Sequence, residues 1–418
     1  MSKYYIWTIG CQMNQAESER LGSYFGQFGY QATDKYEEAE IIVLNSCVVR
    51  KSAENRVINK LNILKLAKEK RPNLVLAVTG CLVNSDIETL RKRFPYTDYF
   101  FKPGDYPPWL EKTVVGPLLP QNPQPATFVN IMQGCNNFCS YCIVPYRRGR
   151  ERSRPVETIT CEVMELVQRG VKEITLLGQN VDSYRPESFR HPDLAFLLNK
   201  LNDVNGIARI RFLTNHPKDM SNRLIKTVAC LGKVCEQIML PVQSGSNDIL
   251  GMMRREYTID HYRQLVKEIR HNIPGVALST DVIVGFPSEN KQQFQQTIDL
   301  LSEIRFDTVH VAAYSPRPGT FAAANFEDNI SKSEKKERLQ VVEQIQEKIA
   351  GELNRVLLGE TVEILVEGQK KGKWQGRTRT GKLVFCHSND DCSGKLISVM
   401  IEKTTPWSLQ GKIKRNNN

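Results

Sequence analysis

Apolar runs alternate with amphipathic stretches over the first hundred residues of the chain. Three runs of the kind that forms buried strands cover residues 4–9, 41–44 and 74–78. Helical periodicity follows each of them, over residues 16–28, 53–70 and 85–94. Strands that alternate with helices build parallel sheets, and the ligands of such sheets collect at the carboxyl ends of the strands. We therefore predict an open parallel α/β domain over residues 1–102.

The same alternation continues through the centre of the chain, after a proline-rich stretch. Residues 103–126 are rich in proline and show little periodicity, so we predict that they form an interdomain linker. Six strand candidates then recur with helical stretches between most of them, at residues 127–132, 173–177, 207–213, 237–240, 277–284 and 308–313. Six βα units predict a partial parallel (β/α)6 barrel over residues 127–351, with its site at the carboxyl ends of the strands.

The pattern changes again near residue 331. Ser331 and Glu334 have the spacing of a capping box, which predicts the start of a charged helix that ends near residue 353. Short strands separated by glycine turns follow, over residues 361–367, 376–379, 382–385 and 395–401. They predict a small β-barrel over residues 352–418.

The net charge of the chain indicates a class of binding partner. Residues 352–418 contain 12 lysines and arginines against 7 acidic residues, a net charge of +5, and the whole chain carries +11. Such a balance favours a polyanionic partner such as nucleic acid. No apolar run approaches the ~20 residues of a membrane helix, so no membrane partner is expected. The first residues form an apolar strand without a signal-peptide pattern, and the number of cysteines, eleven, is odd. We therefore expect a cytoplasmic protein that uses cysteines as ligands and not in disulfides.

Three cysteines fall within eight residues in the spacing C-x3-C-x2-C, and we call Cys135, Cys139 and Cys142 the first cysteine set. So short a loop can bring three thiolates onto three corners of one cuboidal iron–sulfur cluster. Such a cluster normally takes four cysteines, so three leave one iron open to a small molecule. Zinc is an alternative, although its sites usually pair close C-x2-4-C knuckles. Buried inert cysteines are another alternative.

A second cysteine set is spread through the amino-terminal domain and consists of Cys11, Cys47 and Cys81. Each of these cysteines follows the carboxyl end of a predicted strand. Because the carboxyl ends of parallel strands meet at one edge of the sheet, the three thiols can converge on a second cluster. Coincidental burial of three separate cysteines is the alternative.

The first cysteine set and its flanks resemble the methylthiotransferase family of radical S-adenosylmethionine (SAM) enzymes. The resemblance rests on FVNIMQGC over residues 128–135, an aromatic residue before Cys142, and VPYRRG over residues 144–149. It extends over nearly the whole chain. It implies an amino-terminal methylthiotransferase domain, a partial radical SAM barrel and a carboxy-terminal TRAM domain. It also implies a 4Fe-4S cluster on the first set, whose open iron binds SAM, and an auxiliary 4Fe-4S cluster on the second set, which delivers sulfur.

The resemblance also implies contacts to the cofactor. The segment Gly178-Gln179-Asn180 occupies the place where the superfamily contacts the methionyl end of SAM. We predict that Gln179, Asn180, Gln243 and Asp281 contact SAM or the substrate. Each of them is alternatively an ordinary loop or capping residue.

The activity that the resemblance implies is addition of a methylthio group to carbon-2 of N6-isopentenyladenosine 37 in tRNA. The tripeptide Gln12-Met13-Asn14 resembles the branch of the family that acts on this nucleoside. Methylthiolation of threonylcarbamoyl-adenosine 37 in tRNA, or of an aspartate in a ribosomal protein, is an alternative. An RNA-binding iron–sulfur redox sensor is a non-enzymatic alternative. The activity implies a reductant such as flavodoxin or ferredoxin, and a sulfur donor.

Basic residues are the predicted contacts to tRNA. Five arginines fall within eight residues after the first cysteine set, and of these Arg147, Arg148 and Arg150 are predicted to contact phosphates. A solvated charged loop is the alternative. The last domain resembles a TRAM domain, an RNA-binding module, at LVEG (365–368), GRT (376–378) and SLQG (408–411). Its Arg377 and Arg379 are predicted RNA contacts as well.

Overall fold

The computed structural model describes residues 2–47, 51–83, 87–110, 118–120, 122–187 and 192–414. The chain forms two compact units. The first consists of residues 1–122, 132–138 and 142–152, and the second of residues 123–131, 139–141 and 153–418. Among the described residues, no helix combines the length and the apolar character that crossing a lipid bilayer requires.

A five-stranded parallel sheet organises the first unit. Its strands are β1 (Lys3–Thr8), β2 (Gln31–Ala32), β3 (Ile41–Ser46), β4 (Val75–Gly80) and β5 (Tyr99–Phe100), in the order β2-β1-β3-β4-β5. Its helices are α1 (Gln12–Gln27), α2 (Lys51–Lys70) and α3 (Ile87–Arg93). The predicted open parallel α/β domain is confirmed, with the three predicted strands side by side as β1, β3 and β4. The predicted start of the third helix, at residues 85–86, lies outside the described residues.

Helices cover both faces of this sheet, which explains why β3 is apolar on both sides. Ile42 and Leu44 belong to one buried cluster with residues of α2. Ile41 and Val43 belong to another cluster with residues of α1. Helix α1 begins earlier than predicted, because Cys11 adopts the extended backbone of an N-cap residue directly before Gln12.

The described residues between 126 and 313 form eight strands. They are β6 (Ala126–Asn130), β7 (Met132–Gln133), β8 (Arg152–Ser153), β9 (Glu173–Leu177), β10 (Arg209–Phe212), β11 (Gln237–Met239), β12 (Ala277–Val284) and β13 (Thr308–Ala313). The helices are α4 (Val144–Arg148), α5 (Val156–Gln168), α6 (Leu194–Asn202), α7 (Asn222–Cys230), α8 (Asn247–Met252), α9 (Ile259–Asn272), α10 (Lys291–Ile304), α11 (Phe321–Asn325) and α12 (Lys332–Arg355).

Six of these strands form a parallel half-barrel in the second unit. Strands β6, β9 and β10 form one ladder, and β11, β12 and β13 form another. A parallel bridge between Ile210 and Val234 connects the two ladders. The spatial order therefore follows the order of the chain, and the predicted partial (β/α)6 barrel is confirmed.

A closed five-stranded barrel completes the second unit. Its strands are β14 (Thr361–Lys370), β15 (Lys373–Thr378), β16 (Leu383–His387), β17 (Leu396–Thr404) and β18 (Leu409–Ile413), in the order β14-β15-β16-β18-β17. The small β-barrel is confirmed, but β18 was not predicted as a strand. It pairs parallel with β16 and antiparallel with β17, and so closes the barrel. Its five residues are too few to show a clear alternation in the sequence.

Arg211 of β10 joins the half-barrel to the closed barrel. Its Nε donates to Oε1 of Glu173 at 2.7 Å. Its Nη2 and Nη1 donate to the backbone carbonyls of Thr378 and Arg379, at 2.7 and 2.6 Å. The side chains of Arg211 and Glu173 are only 7% and 5% exposed, so this is a buried ion pair.

Arg209 makes a parallel connection from the first residue of β10. It donates to the backbone carbonyl of Arg377 at 2.7 Å and to Oε1 of Glu363 at 2.9 Å. Arg209 begins β10, and the side chain of Arg211 reaches Glu173 and Gln237, the first residues of β9 and β11. The closed barrel therefore contacts the amino ends of the parallel strands and leaves their carboxyl ends, where the site is predicted, uncovered by this contact.

Candidate functional site

The second cysteine set lies at one edge of the amino-terminal sheet. Cys47 directly follows β3, Cys81 directly follows β4, and Cys11 lies between β1 and α1. These three strands are neighbours in the sheet. Cys47 and Cys81 are buried and Cys11 is exposed. The structure thus places the three cysteines at adjacent strand ends, while their role as ligands stays a prediction.

A close backbone approach at Gly10 supports this arrangement. Gly10 has a φ of +142°, and a Cβ atom at this position would lie 2.7 Å from Cβ of Cys47 and 2.9 Å from Oδ1 of Asn14. Glycine is the residue that allows such an approach at positive φ. The loop that carries Cys11 therefore lies directly against Cys47.

Asn14 connects the sulfur of Cys11 to the end of β3. It is fully buried, and its Oδ1 accepts a hydrogen bond from Sγ of Cys11 at 3.3 Å. Its Nδ2 donates to Oδ1 of Asn45 at 2.8 Å and to the carbonyl of Ser46 at 3.0 Å. These bonds fix the orientation of the amide, so its oxygen faces the cysteine set.

Arg148, the last residue of α4, contacts the same cysteine set. Its Nε donates to Sγ of Cys81 at 3.3 Å, and its Nη2 donates to Oδ1 of Asn14 at 3.4 Å. Burial raises the pKa of the Cys81 thiol, and the guanidinium opposes this rise because it favours the thiolate. Burial also raises the pKa of Glu17, which is 5% exposed, and Arg148 again acts in the opposite direction.

Three cysteine thiols in each set are a donor set of the kind that an iron–sulfur cluster takes. Within the described ranges, no three His, Cys, Asp or Glu side chains are grouped closely enough to hold one ion, as a zinc site requires. In a cuboidal cluster each thiolate binds a different iron, so the ligands lie further apart. None of the eleven cysteines, all of which are described, forms a disulfide. The sulfurs of both sets are therefore thiols.

The loop of the first cysteine set is shaped by its backbone. In the first unit, the backbone N–H of Cys135 donates to the carbonyl of Gly149 at 3.1 Å. Gly134 has a φ of +86°, and a Cβ atom there would lie 2.1 Å from the carbonyl oxygen of Arg150. A side chain at this position would clash with the backbone, so glycine is required. These contacts fix the start of the cysteine loop.

A buried arginine contacts Cys139 within the second unit. Arg255 is 4% exposed and donates through Nη1 to Sγ of Cys139 at 3.3 Å and through Nη2 to the carbonyl of Pro241 at 2.9 Å. The neighbouring backbone N–H of Ser140 donates to the carbonyl of Met253 at 3.0 Å. Each cysteine set therefore includes at least one sulfur that accepts a hydrogen bond from an arginine.

Three of the residues predicted to contact SAM follow the carboxyl ends of half-barrel strands, namely Gln179, Asn180 and Gln243, whereas Asp281 lies within β12. Gln179 and Asn180 follow β9, and Nδ2 of Asn180 donates to Oδ2 of Asp219 at 2.7 Å. Gln243 and Asp281 come together through the backbone, because the N–H of Gln243 donates to the carbonyl of Asp281 at 2.8 Å. Contact between these residues and SAM stays a prediction.

Three buried polar atoms in the loops after β9 and β10 have no hydrogen-bond partner among the described residues. They are Oδ1 of Asn180, Oδ1 of Asn215 and Nε2 of His216. Such atoms are costly unless a bound ligand or water satisfies them. Burial, with the charges of Arg255 and Lys218, lowers the pKa of His216 to about 2, so the ring is neutral at physiological pH. Its Nδ1 accepts from the N–H of Lys218 at 3.3 Å, which leaves Nε2–H as a donor toward a ligand.

The three arginines after the first cysteine set have different surroundings. Arg150 is exposed, and its guanidinium lies 4.4 Å from the ring centre of Phe138. Arg147 is partly buried. Arg148 has the sulfur and amide contacts described above. The predicted RNA contacts of Arg147 and Arg150 stay predictions, and the contacts of Arg148 point to another role.

The two arginines of the closed barrel also differ. Nε of Arg377, whose side chain is 47% exposed, lies 3.4 Å from Oε1 of Glu367. Arg379 forms a 2.7 Å ion pair with Glu236 and donates to the carbonyl of Val234 at 2.7 Å. The side chain of Arg379 thus connects the two barrels. Contact of either arginine with RNA stays a prediction.

Sequence reasoning missed Arg255, which contacts Cys139. Arg255 lies 116 positions from the cysteine that it contacts, in a segment without a recognisable motif. Nothing in the sequence indicates that contact. His216 did have a signal, because it follows β10 in a loop at the carboxyl end of a barrel strand.

Three known families match successive parts of the chain. They are the Uncharacterized protein family UPF0004 over residues 3–102, the Radical SAM superfamily over residues 129–301 and the TRAM domain over residues 355–414. The chain is also similar over its whole length to proteins named tRNA-2-methylthio-N(6)-dimethylallyladenosine synthase. The relative from Dehalococcoides mccartyi (strain CBDB1) is 54% identical and covers 99% of both chains. That from Roseiflexus sp. (strain RS-1) is 46% identical and covers 99% of this chain and 90% of its own.

Solved structures share the fold at low sequence identity. A radical S-adenosylmethionine methyltransferase, TsrM, from Kitasatospora setae matches with a TM-score of 0.56 at 11% identity, over 90% of this chain and 81% of that one. The cobalamin-dependent S-adenosylmethionine radical enzyme OxsB matches with a TM-score of 0.52 at 13% identity, over 83% of this chain and 56% of that one. At these identities the likeness extends to the fold alone.

Proposed function

The chain belongs to the family of tRNA-2-methylthio-N(6)-dimethylallyladenosine synthases, and we propose on that premise that it adds a methylthio group to carbon-2 of N6-isopentenyladenosine 37 in tRNA. The observation that carries the proposal is the 54% identity over 99% of both chains. The chain is thus a radical SAM tRNA methylthiotransferase, for which SAM and a 4Fe-4S cluster are the cofactors. Its tRNA substrate also agrees with the TRAM domain.

We propose that the first cysteine set holds the cluster that binds SAM and that the second set holds a further 4Fe-4S cluster. Support for the second cluster comes from three cysteines at neighbouring strand ends and from hydrogen bonds at Cys11 and Cys81. When bound, the first cluster supplies the electron that cleaves SAM, and the second supplies the sulfur that is transferred. A reductant such as flavodoxin or ferredoxin and a sulfur donor are the partners that this chemistry needs.

The protein's own residues bind and orient the reactants. We propose that Gln179, Asn180, Gln243 and Asp281 contact SAM or the adenosine at the carboxyl ends of the half-barrel strands. The neutral ring of His216 would donate its Nε2–H to an acceptor atom of the same ligands. We propose that residues 1–102 deliver sulfur and that residues 127–351 bind SAM and the base. Residues 352–418 would make further contacts to tRNA, and residues 103–126 would be the linker. The enzyme would work in the cytoplasm, where tRNA is modified.

A reconstitution assay tests the substrate. The anaerobic protein with both clusters, SAM, dithionite and a sulfur source should add a methylthio group to tRNA that carries N6-isopentenyladenosine. It should leave tRNA that carries threonylcarbamoyl-adenosine unchanged, because Gln12-Met13-Asn14 resembles the isopentenyladenosine branch. Mass spectrometry of digested nucleosides provides the readout.

Each alternative predicts a different outcome of this assay. Methylthiolation of the threonylcarbamoyl nucleoside, or of an aspartate in a ribosomal protein added as a third substrate, would overturn the proposed substrate. Absence of SAM cleavage by fully reconstituted protein with dithionite would favour a redox sensor over an enzyme.

Basic residues near the first cysteine set should contribute to tRNA affinity without affecting SAM cleavage. Replacing Arg147 and Arg150 by glutamine should weaken tRNA binding, and the salt dependence of log Kd should become shallower by about one unit for each phosphate that the protein no longer neutralises. A binding titration at several salt concentrations measures both effects. Arg223→Gln is a matched control, because Arg223 is 65% exposed on α7. Equal affinity and slope in the double variant and the control would remove these arginines from the RNA interface.

A further inference from the structure

Arg148 lies among the arginines predicted to hold RNA, but its guanidinium is directed at the second cysteine set. Its Nε donates to Sγ of Cys81 and its Nη2 to Oδ1 of Asn14. We propose that Arg148 is a positioning residue of the second cluster, which it orients and whose reduction potential it raises, instead of a contact to tRNA. This inference rests on the second cluster of the proposed function.

Arg148 makes these two hydrogen bonds through two nitrogens of its planar guanidinium group. The guanidinium presents several N–H groups in a rigid fork, so a single arginine can bond a sulfur and an amide oxygen at once. Asn14 is held on its other side by Asn45 and the carbonyl of Ser46. The fork therefore binds a fixed acceptor, which defines the direction of the N–H bond toward Cys81.

The same network extends to the sulfur of Cys11. In the absence of iron, the Cys11 thiol donates to Oδ1 of Asn14 at 3.3 Å. Iron binding replaces that proton, and the donation from Arg148 continues to satisfy the amide oxygen. Arg148 therefore suits the thiolate form of Cys81, because it provides a charged donor to that sulfur.

The positive charge of Arg148 also favours negative charge on the second cluster. Three thiolates give a 4Fe-4S cluster net negative charge, and each reduction adds one more. Hydrogen bonds to the sulfurs and nearby positive charge set the potential of such a cluster, and both favour its reduced state. Removing the guanidinium should therefore make the cluster harder to reduce.

Arg148 lies close in the sequence to the first cysteine set. Helix α4 begins at Val144, two residues after Cys142, and ends at Arg148. One short segment thus carries a cysteine of the first set and the arginine that contacts the second set.

The test uses the full chain with all three cysteines of the first set replaced by alanine, so that only the second cluster is measured. In this background we compare Arg148→Gln, Arg148→Lys and, as the matched control, Arg150→Gln. Electron paramagnetic resonance during a redox titration gives the spectrum and the midpoint potential. Arg148→Gln should shift the potential to more negative values and alter the spectrum. Arg148→Lys, which keeps the charge but loses the fork, should shift it less, and Arg150→Gln should leave it unchanged.

The same substitutions are also made in the intact chain, and their tRNA affinity is measured as an independent readout. Arg148→Gln should bind tRNA with the affinity and salt dependence of the unsubstituted protein. If the Arg148 variants keep the potential and the spectrum of the background while tRNA binding weakens, the residue is an RNA contact and the inference is wrong. Loss of iron in Arg148→Gln, with circular dichroism like that of the control, would support the positioning role. A background without iron would overturn the second cluster itself, and this inference with it.

Discussion

Replacing the first cysteine set by alanine should abolish SAM cleavage, whereas replacing the second set should preserve SAM cleavage and end methylthio transfer. The reason is the separation of the two donor sets, since Cys11, Cys47 and Cys81 lie at strand ends of the amino-terminal sheet. The reconstituted chain should hold about eight irons as two 4Fe-4S clusters, and each triple variant about four. Iron analysis and chromatography of 5′-deoxyadenosine measure both effects.

Exposed cysteines outside the two sets supply the control. Cys161 on α5 and Cys230 on α7 are exposed, and their joint replacement by alanine should leave iron content and both activities unchanged. A first-set variant that still cleaved SAM would overturn its assignment. A second-set variant with the iron content of the intact chain would overturn the second cluster.

Replacing Arg211 by methionine should produce the largest loss of stability among the substitutions considered. It would leave the carboxylate of Glu173 buried without its closest cation, since Arg209 is 3.8 Å away and bound to Glu363. Breaking a buried ion pair on one side costs roughly 3–5 kcal/mol. The carbonyls of Thr378 and Arg379 would also lose a donor. The midpoint of thermal unfolding of the reconstituted protein should fall by several degrees.

Two variants make this measurement specific. Replacing Glu173 together with Arg211 by methionine removes the uncompensated charge, so the double variant should be more stable than Arg211→Met. Arg223→Met changes an exposed arginine and should alter stability by less than about 0.5 kcal/mol. Equal unfolding midpoints for Arg211→Met and Arg223→Met would show that the buried pair does not hold the two barrels together.

The strands that carry the cysteines could be predicted from the sequence because their burial is simple. Residues 41–44 are apolar without interruption, since helices cover both faces of β3, and such a run is typical of parallel sheets. Once three such strands are recognised, parallel pairing places Cys47 and Cys81 at the same edge. The half-barrel followed from the same rule applied to six apolar runs.

The contacts of individual arginines could not be predicted in this way. A run of basic residues indicates positive charge but not which group each side chain contacts. Arg148 and Arg150 look alike in the sequence, although Arg148 contacts a sulfur and Arg150 is exposed. Arg255 reaches Cys139 across 116 positions, through the fold alone. Strand β18 was missed because its pairing partners, and not its own five residues, define it.

The packing of the two barrels also affects how the RNA-binding role is tested. A truncation after Leu353 would cut α12 before its end at Arg355 and remove the carbonyls that Arg209 and Arg211 bind. The half-barrel would then lack the acceptors of two buried arginines. Surface substitutions such as Arg377→Gln change charge without this disruption, since the side chain of Arg377 is 47% exposed.

The most direct measurement is the nucleoside composition of tRNA from a strain that lacks its own methylthiotransferase and expresses this chain. The intact chain should restore 2-methylthio-N6-isopentenyladenosine. The variant without the second cysteine set should leave N6-isopentenyladenosine without the methylthio group, because the sulfur to be transferred would have no cluster to hold it. Equal amounts of the methylthio nucleoside from the intact chain and from this variant would contradict a two-cluster methylthiotransferase.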